Sequence, residues 1–364
     1  MTCKLTPDDQ RVTHHTASIR DKTYHYVVAS PPASQPAKGT ILLLHRFPDL
    51  GFGWRYQVLM LTQDLGLRMI VPDMLGYGRT DAPASPQSYA YKSVCADLVA
   101  LVDHVGVVGG GYAGEADQHN RFFVGGHDWG GAVAWRMALW HSARLRGVFS
   151  VCTPYFAPSK NGHFLPLAET AKMLPNFGYQ QQFAGDELWQ FIDAEPVRIR
   201  QFLQAMYGGT AVLSDEEVAA KKSPYLWDTT NGVSLDRLAS VGPSPLLSRA
   251  ELDYYATEFA RRGLRGPTNW YRTQKYNYDD EREIVRKGGE ARQRITVPSL
   301  MLSATSDMTL PPILAGRMDK YFSRLTKAQV PGGHWVLWES SVAVNEHIKT
   351  FLSPLLQGAV KAVL

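Results

Sequence analysis

Cysteine is scarce in this sequence of 364 residues. The three cysteines, Cys3, Cys95 and Cys152, lie far apart and form no C-x-x-C pair. This odd, irregular set excludes a cysteine-based zinc site and is typical of a protein from a reducing compartment. We therefore expect a cytoplasmic protein, and the sequence indicates neither a metal site nor a cofactor.

Long apolar runs and a strong net charge are also missing. Residues 1–15 contain no signal-peptide core, and no stretch approaches the ~18 apolar residues of a membrane-spanning helix. The formal net charge is only +4, which implies neither nucleic acid nor a membrane as a partner. The expected partner is a small molecule, and no oligomer is predicted.

The patterns that are present predict an α/β fold. With 45% hydrophobic and 20% charged residues, the composition is globular. Apolar runs typical of buried parallel strands alternate with helical patterns, stop near residue 154 and resume at residues 297–307. The intervening stretch is rich in Tyr, Phe, Trp and Gln. We expect a core of residues 1–154 and 276–364, with helices on both faces of a mostly parallel sheet, and an inserted helical cap at 155–275.

Individual elements follow from the same periodicities. A β-hairpin is expected within residues 16–30, and a helical stretch is expected from Trp54. The predicted buried strands are 40–45, 68–73, 145–154 and 297–307, and the predicted helices are 91–105, one near 311–322 and one at about 339–357.

The most informative stretch is 121–142, where an apolar strand enters a glycine-rich corner and a helical pattern follows. Asp128 stands at the centre of this corner, in the pattern small-x-nucleophile-x-small that runs from Gly126 to Gly130. Such a pattern is the sequence form of a nucleophile elbow, because flanking glycines permit a strained turn. The alternative is an ordinary helix N-cap at Asp128.

A second glycine pattern suggests a different function. Gly109, Gly111 and Gly114 form a G-x-G-x-x-G with Asp128 about 20 residues further on, as in dinucleotide-binding sites. That mechanism requires the glycines to open a helix, whereas here they lead into EADQHN, which has no apolar stripe. A surface loop is the favoured interpretation.

Two further residues complete a catalytic set in the chain order nucleophile, acid, base. Asp307 follows the strand SLMLSA, and His334 lies in the PGGHW loop after another short apolar run. Taken alone, Asp307 is also compatible with a turn residue and His334 with an exposed loop histidine. Their order at strand ends favours a triad with Asp128. The backbone N–H groups of Trp129 and Phe47 are the expected oxyanion-hole donors.

A carboxylate nucleophile restricts the chemistry. It displaces a leaving group from saturated carbon and forms an alkyl ester, which activated water then hydrolyses. A halide leaving group needs N–H donors, whereas an epoxide oxygen needs an acid such as a neutral tyrosine. From composition alone the choice among the tyrosines of the cap stays open, and the candidates include Tyr207, Tyr225, Tyr254 and Tyr255.

Six motifs together resemble the epoxide hydrolases of the α/β-hydrolase fold: HRFPD, PDMLGYGRTDAP, GHDWGGAVAWRMALW, VFSVCTPY, NWYR and GGHW. The resemblance implies two tyrosines that hold the epoxide oxygen, Tyr271 in NWYR and Tyr179 in YQQQF. GHDWGG is shared with haloalkane dehalogenases, which remain the first alternative; a ligand-binding receptor on a hydrolase scaffold is the second. Fluoroacetate-type dehalogenases carry Arg after the nucleophile, so Trp129 instead favours a small, apolar epoxide.

One position departs from the family pattern. Arg46 stands where HGFP usually has glycine. If the turn there requires positive φ, a side chain costs about 1–2 kcal/mol and Phe47 is misplaced as a donor. The sequence-based expectation is that Arg46→Gly preserves or raises activity.

Overall fold

The computed structural model describes residues 4–108, 120–159, 163–289 and 293–357. The strands in these ranges are β1 Thr13–Ile19, β2 Lys22–Ala29, β3 Gly39–Leu44, β4 Leu67–Pro72, β5 Phe122–His127, β6 Leu145–Val151, β7 Trp227–Asp228, β8 Gly232–Val233, β9 Ser299–Ala304 and β10 Leu325–Val330. The α-helices are α1 Tyr91–Val105, α2 Trp129–Trp140, α3 Leu167–Met173, α4 Tyr179–Ala184, α5 Glu187–Asp193, α6 Pro196–Met206, α7 Asp215–Ala219, α8 Arg249–Ala260, α9 Arg265–Thr268, α10 Gln274–Gly288, α11 Val336–Glu339 and α12 Ser341–Leu356.

Eight of these strands form one sheet in the order β1-β2-β4-β3-β5-β6-β9-β10. Strand β2 runs antiparallel to β1 and β4, and every other neighbouring pair is parallel. Every residue of β3, β5 and β9 is buried, because helices cover both faces of a parallel sheet. This architecture confirms the predicted α/β-hydrolase fold.

The strand order reverses beside β3. The chain passes from β3 to β4 on one side and returns to add β5 on the other side. At such a switch point the loops after two adjacent strands separate and leave a crevice at their carboxyl ends. The loop after β3 carries Phe47 and the turn after β5 carries Asp128, so the topology itself brings these two residues together.

An inserted segment lies between β6 and β9. It contains helices α3 to α10 and a two-stranded antiparallel sheet formed by β7 and β8. Helix α10 continues from Gln274 to Gly288 and therefore crosses the predicted end of the cap at residue 275. The cap boundaries 155–275 stay a prediction.

Two predicted helices differ in the structure. The stretch near 311–322 forms two 3-10 helices, Pro312–Arg317 and Asp319–Tyr321, rather than one α-helix. Two consecutive prolines and Gly316 disfavour a regular helix at this position. The stretch from Trp54 also differs from one regular α-helix. A 3-10 helix, Gly51–Trp54, ends at Trp54, and a π-helix follows at Met60–Asp64.

Two further sequence-based expectations concern the glycine pattern and membrane-spanning helices. The glycine pattern at residues 109–114 lies outside the described residues. Within the described ranges, no helix combines the length and the hydropathy that crossing a membrane requires.

Candidate active site

Asp128 occupies a strained turn between β5 and α2. Its backbone has φ 51° and ψ −119°, which a residue with a Cβ rarely adopts. The turn is held on both sides: the Asp128 N–H donates to Val151 O at 3.3 Å, and Thr153 Oγ1 donates to Asp128 O at 2.7 Å. Strain that the surroundings enforce in this way is typical of functional turns.

The glycines around Asp128 are required by close backbone approach. A Cβ on Gly126 would lie 2.0 Å from the carbonyl oxygen of Gly130, and one on Gly130 would lie 2.2 Å from that of Leu44. Since these neighbours are backbone atoms, they cannot move aside cheaply. This packing explains why the sequence pattern around Asp128 requires small residues on both sides.

The structure brings His334 and Asp307 to Asp128. His334 Nδ1 lies 2.9 Å from Asp307 Oδ2, and His334 Nε2 lies 3.9 Å from Asp128 Oδ1. The other oxygen of Asp307 accepts the backbone N–H groups of Thr309 and Leu310, each at 2.8 Å. A carboxylate on Nδ1 holds the proton there and leaves Nε2 free to act as a base toward the Asp128 side.

Burial and mutual charge set the protonation of these groups. Burial opposes charge on both Asp307 and His334, but their contact reverses this: the pKa of Asp307 is lowered and that of His334 is raised, with Asp128 contributing to the latter. The pKa of Asp128 is raised by burial, and His334 and the N–H groups of Phe47 and Trp129 limit the increase.

The loop after β3 supplies a hydrogen bond to Asp128. The Phe47 N–H donates to Asp128 Oδ2 at 3.2 Å. Among the described residues, the non-glycine residues with positive φ are Arg20, Asp128, Cys152 and Lys221. Arg46 is not in this group, so the turn accommodates a side chain there without the expected backbone strain.

Tyr179 and Tyr271 of the inserted segment pack close to each other and to residues next to Asp128 in the site. Their ring centroids are 6.0 Å apart, and the Tyr271 ring is 5.1 Å from that of Trp129 and 5.2 Å from that of Phe47. Burial, followed by nearby groups that include Asp128, raises the pKa of both tyrosines. Both phenols are therefore protonated at neutral pH and available as hydrogen-bond donors.

A cavity of about 290 Å³ is lined by both Asp128 and Tyr179, whereas Tyr271, His334 and Phe47 are not among the residues of its wall. The core contributes Asp128, Trp129 and Thr153 to its wall, and the inserted segment contributes Phe177 and Tyr179. Further apolar lining comes from Tyr91, Ala132, Phe156, Leu174 and Leu310, and further polar lining from Thr170, Gln180 and Gln274. A mostly aromatic and aliphatic wall with a few polar groups is typical of a small-molecule site.

The roles of three residues of the site region were not assigned from the sequence, although Tyr207 and Tyr255 were among the candidate tyrosines. Thr153, which braces the carbonyl group of Asp128, lies in the VFSVCTPY motif, so the resemblance contained a signal for it. Tyr207 donates its hydroxyl hydrogen to Pro48 O, and Tyr255 donates to Asp49 Oδ1. These two tyrosines of the inserted segment therefore brace the loop after β3.

One group of side chains in the described ranges has the spacing of a metal site. Ligand atoms of His127, Cys152 and His334 lie within 4.8 Å of one another. The chemistry of the surroundings does not suit a cation, because Arg46 Nη1 is 3.5 Å from His127 Nδ1. Burial also raises the pKa of the Cys152 thiol and so disfavours the thiolate that binds metal.

Comparison with known proteins places this geometry in a family. Residues 39–341 match the family described as alpha/beta hydrolase fold. Epoxide hydrolase srdG of Neurospora crassa is 39% identical over 359 residues, 97% of this chain and 98% of that protein. Epoxide hydrolase A of Mycobacterium tuberculosis is 29% identical over 329 residues, 89% of this chain and 93% of that protein.

A solved structure agrees with these relatives. Epoxide hydrolase A from Mycobacterium thermoresistibile has a TM-score of 0.70 and 26% sequence identity, and the match covers 94% of this chain and 98% of that one. The structural match therefore includes both the sheet and the inserted segment of this chain. The chain belongs to the epoxide hydrolases of the α/β-hydrolase fold.

Proposed function

We propose that this epoxide hydrolase acts in two steps, through an alkyl ester on Asp128, and releases a vicinal diol. The observation that carries the proposal is the line of contacts from Asp307 through His334 to Asp128, at 2.9 and 3.9 Å. His334 is then placed to act after the ester has formed rather than on the epoxide itself. The lining of the cavity supports a small, largely apolar epoxide as substrate.

In the first step, Asp128 attacks one epoxide carbon and the carbon–oxygen bond breaks. Oδ2 accepts the Phe47 N–H, so Oδ1 is assigned as the attacking oxygen. The epoxide oxygen takes up negative charge and receives a proton or hydrogen bond from Tyr179 and Tyr271. Their raised pKa values keep the protons in place until the ring opens.

In the second step, water attacks the carboxyl carbon of Asp128 while His334 Nε2 accepts a water proton. The oxyanion that forms is stabilised by the N–H groups of Phe47 and Trp129. Its collapse breaks the bond between the carboxyl carbon and the diol oxygen, and that oxygen takes the proton that His334 accepted. The carboxyl group of Asp128 then loses the remaining water proton, which replaces the proton that the tyrosine donated. In the resting enzyme, the negative charge of Asp128 raises the pKa of His334. Esterification removes this charge. The pKa of His334 therefore falls once the ester exists, and the base becomes available.

The test is a single turnover with enzyme in excess over an aryl epoxide in ¹⁸O-labelled water. Hydrolysis of an ester at its carboxyl carbon places the label in the Asp128 carboxylate, which mass spectrometry of the peptide detects. Label found only in the diol would mean that water attacks the epoxide directly. The Asp128→Ala variant is the control, since it cannot form the ester.

We further propose that residues 155–275 form the cap over the sheet and that the protein is cytoplasmic. The variant Tyr271→Phe distinguishes a haloalkane dehalogenase from an epoxide hydrolase. A departing halide needs no proton, whereas the epoxide oxygen does. Halide release that survives this substitution would support the dehalogenase alternative.

A further inference from the structure

Arg46 connects two catalytic loops. It lies directly before Phe47, and its side chain is completely buried. The guanidinium carbon is 3.7 Å from the centroid of the Trp335 ring and 4.2 Å from that of Trp338. Cation–π contacts of this kind hold a guanidinium in place. Since Trp335 follows His334, Arg46 joins the loop of the oxyanion donor to the loop of the base.

The guanidinium group of Arg46 is only partly hydrogen-bonded. Nε lies 3.1 Å from Asp49 Oδ2, yet neither Nε nor Nη2 has a well-oriented hydrogen-bond acceptor in the described part of the chain. Nη1 is 3.5 Å from Nδ1 of His127, the residue that precedes Asp128. Because screening is weak in a buried region, the charge of Arg46 also acts on Asp128: burial raises the pKa of Asp128, and Arg46 is one of the groups that limit this rise.

The two steps of the proposed reaction move negative charge in opposite directions relative to this cation. During ester formation, charge leaves Asp128 for the epoxide oxygen beside Tyr179 and Tyr271. During ester hydrolysis, charge returns to the carboxyl group of Asp128. A fixed cation on the Asp128 side therefore opposes the first step and favours the second.

We infer that Arg46 is a positioning residue for ester hydrolysis: held by Trp335 and Trp338, it fixes the Phe47 N–H and provides a permanent positive charge near the carboxyl group of Asp128. This inference rests on the proposed two-step function. It reverses the sequence-based expectation for Arg46→Gly, since that substitution removes a buried cation and its aromatic contacts together.

The charge of Arg46 also acts on the base. Burial lowers the pKa of His334, Asp307 and Asp128 raise it, and Arg46 lowers it. His127 and Cys152 add no charge, because burial lowers the pKa of the imidazole and raises that of the thiol. The titratable and charged groups that face His334 are thus Asp307, Asp128, His127, Cys152 and Arg46. Without Arg46, the pKa of His334 should rise, and hydrolysis should fail at a higher pH.

The experiment measures ester formation and ester hydrolysis separately, by rapid quench and intact-protein mass during single turnovers of styrene oxide. Arg46→Met removes the charge and keeps an apolar chain of similar length, whereas Arg46→Lys keeps the charge. Arg55→Met is a matched control: Arg55 is equally buried, its guanidinium carbon is 4.0 Å from the Trp338 ring, and it pairs with Glu251 rather than facing His127.

In Arg46→Met, we expect hydrolysis to slow by up to roughly 100-fold, since the Phe47 N–H is no longer held in place, while ester formation is unchanged or faster. The acidic limb of hydrolysis should move to higher pH, because Arg46 lowers the pKa of His334. Arg46→Lys should recover most of the rate, and Arg55→Met should leave the ratio of the two rates unchanged. If Arg46→Met does not fold, Arg46→Met with Asp49→Asn removes the whole pair and carries the same expectation.

Equal slowing of both steps, an unmoved acidic limb, or a lysine variant no better than methionine would overturn the inference, because loss of loop structure alone produces these results. The same holds if Arg55→Met changes the ratio as strongly as Arg46→Met does. Absence of any ester in the wild-type enzyme is a different outcome, since it refutes the proposed function itself.

Discussion

Replacing Asp307 by asparagine tests the proposed triad, because the substitution changes which nitrogen of His334 carries the proton. Oδ1 of Asp307 accepts two backbone N–H groups at 2.8 Å, from Thr309 and Leu310. The oxygen of an asparagine must stay at that position, so its NH₂ group replaces Oδ2 and faces His334 Nδ1. His334 Nδ1 then accepts a hydrogen bond from this NH₂ group. The proton of the neutral imidazole therefore moves to Nε2, on the side of Asp128.

An imidazole in this tautomer cannot accept a proton from water. We expect ester hydrolysis to slow by about 10³- to 10⁴-fold, as for the same change in a serine protease triad, which corresponds to about 4–5.5 kcal/mol of transition-state stabilisation. Ester formation does not use His334 and should continue. The alkylated enzyme should therefore accumulate, which a burst of substrate loss and an added mass on the protein both reveal.

A second buried pair provides the control for this experiment. Asp73 accepts the Gly51 N–H at 3.0 Å through Oδ1 and lies 2.7 Å from His25 Nδ1 through Oδ2, so its local geometry matches that of Asp307. Asp73→Asn should change stability without accumulation of ester. If Asp307→Asn turns over at more than about a tenth of the wild-type rate, or accumulates no ester, Asp307 is not the residue that orients His334.

Three other predictions concern the acids, the base and the packing of the inserted segment. Tyr271→Phe or Tyr179→Phe should slow ester formation by about 10²-fold and leave hydrolysis of a preformed ester unchanged, as measured by rapid quench. The acidic limb of ester hydrolysis should lie below the pH at which His334 titrates by NMR in the resting enzyme, because the Asp128 charge that raises its pKa is gone. Glu281→Leu should cost about 3–5 kcal/mol in chemical denaturation, since it leaves Arg136, 2.6 Å away, buried and unpaired; adding Arg136→Met should recover much of this loss.

Each of these predictions has a contradicting result. Tyrosine variants that slow only hydrolysis would remove Tyr179 and Tyr271 from the first step. If His334 titrates by NMR at the same pH as the acidic limb of ester hydrolysis, the charge of Asp128 does not set the pKa of His334. A double variant of Arg136 and Glu281 as unstable as Glu281→Leu alone would mean that packing, rather than the unpaired charge, sets the cost.

Features encoded in local sequence were predicted correctly. Strands β3, β5 and β9 appear as continuous apolar runs because both faces of each are buried, and the fold class follows from their alternation with helices. The elbow at Asp128 was also visible, since only glycine permits the backbone approach at Gly126 and Gly130. In each of these cases, residues within one short segment carry the physical requirement.

Features that depend on distant packing were not predictable in this way. The conformation of Arg46 is set by Trp335 and Trp338, almost 300 residues further along the chain. The tyrosines Tyr207 and Tyr255 are indistinguishable by sequence from tyrosines that line a cavity, yet their hydroxyls contact the loop after β3. The expected difficulty at Arg46 assumed a glycine-like turn, and the actual backbone does not require one.

The bonds from Tyr207 and Tyr255 bear on how this enzyme can be engineered. Grafting the substrate-enclosing part of one hydrolase onto the sheet of another is an attractive route to new selectivity, on the view that the two parts are interchangeable modules. Here the inserted segment also supports Pro48 and Asp49, which follow Phe47, the proposed oxyanion donor. A chimera without these two hydroxyls would acquire a new pocket together with a loosened catalytic loop, so both tyrosines belong with the sheet in any such exchange.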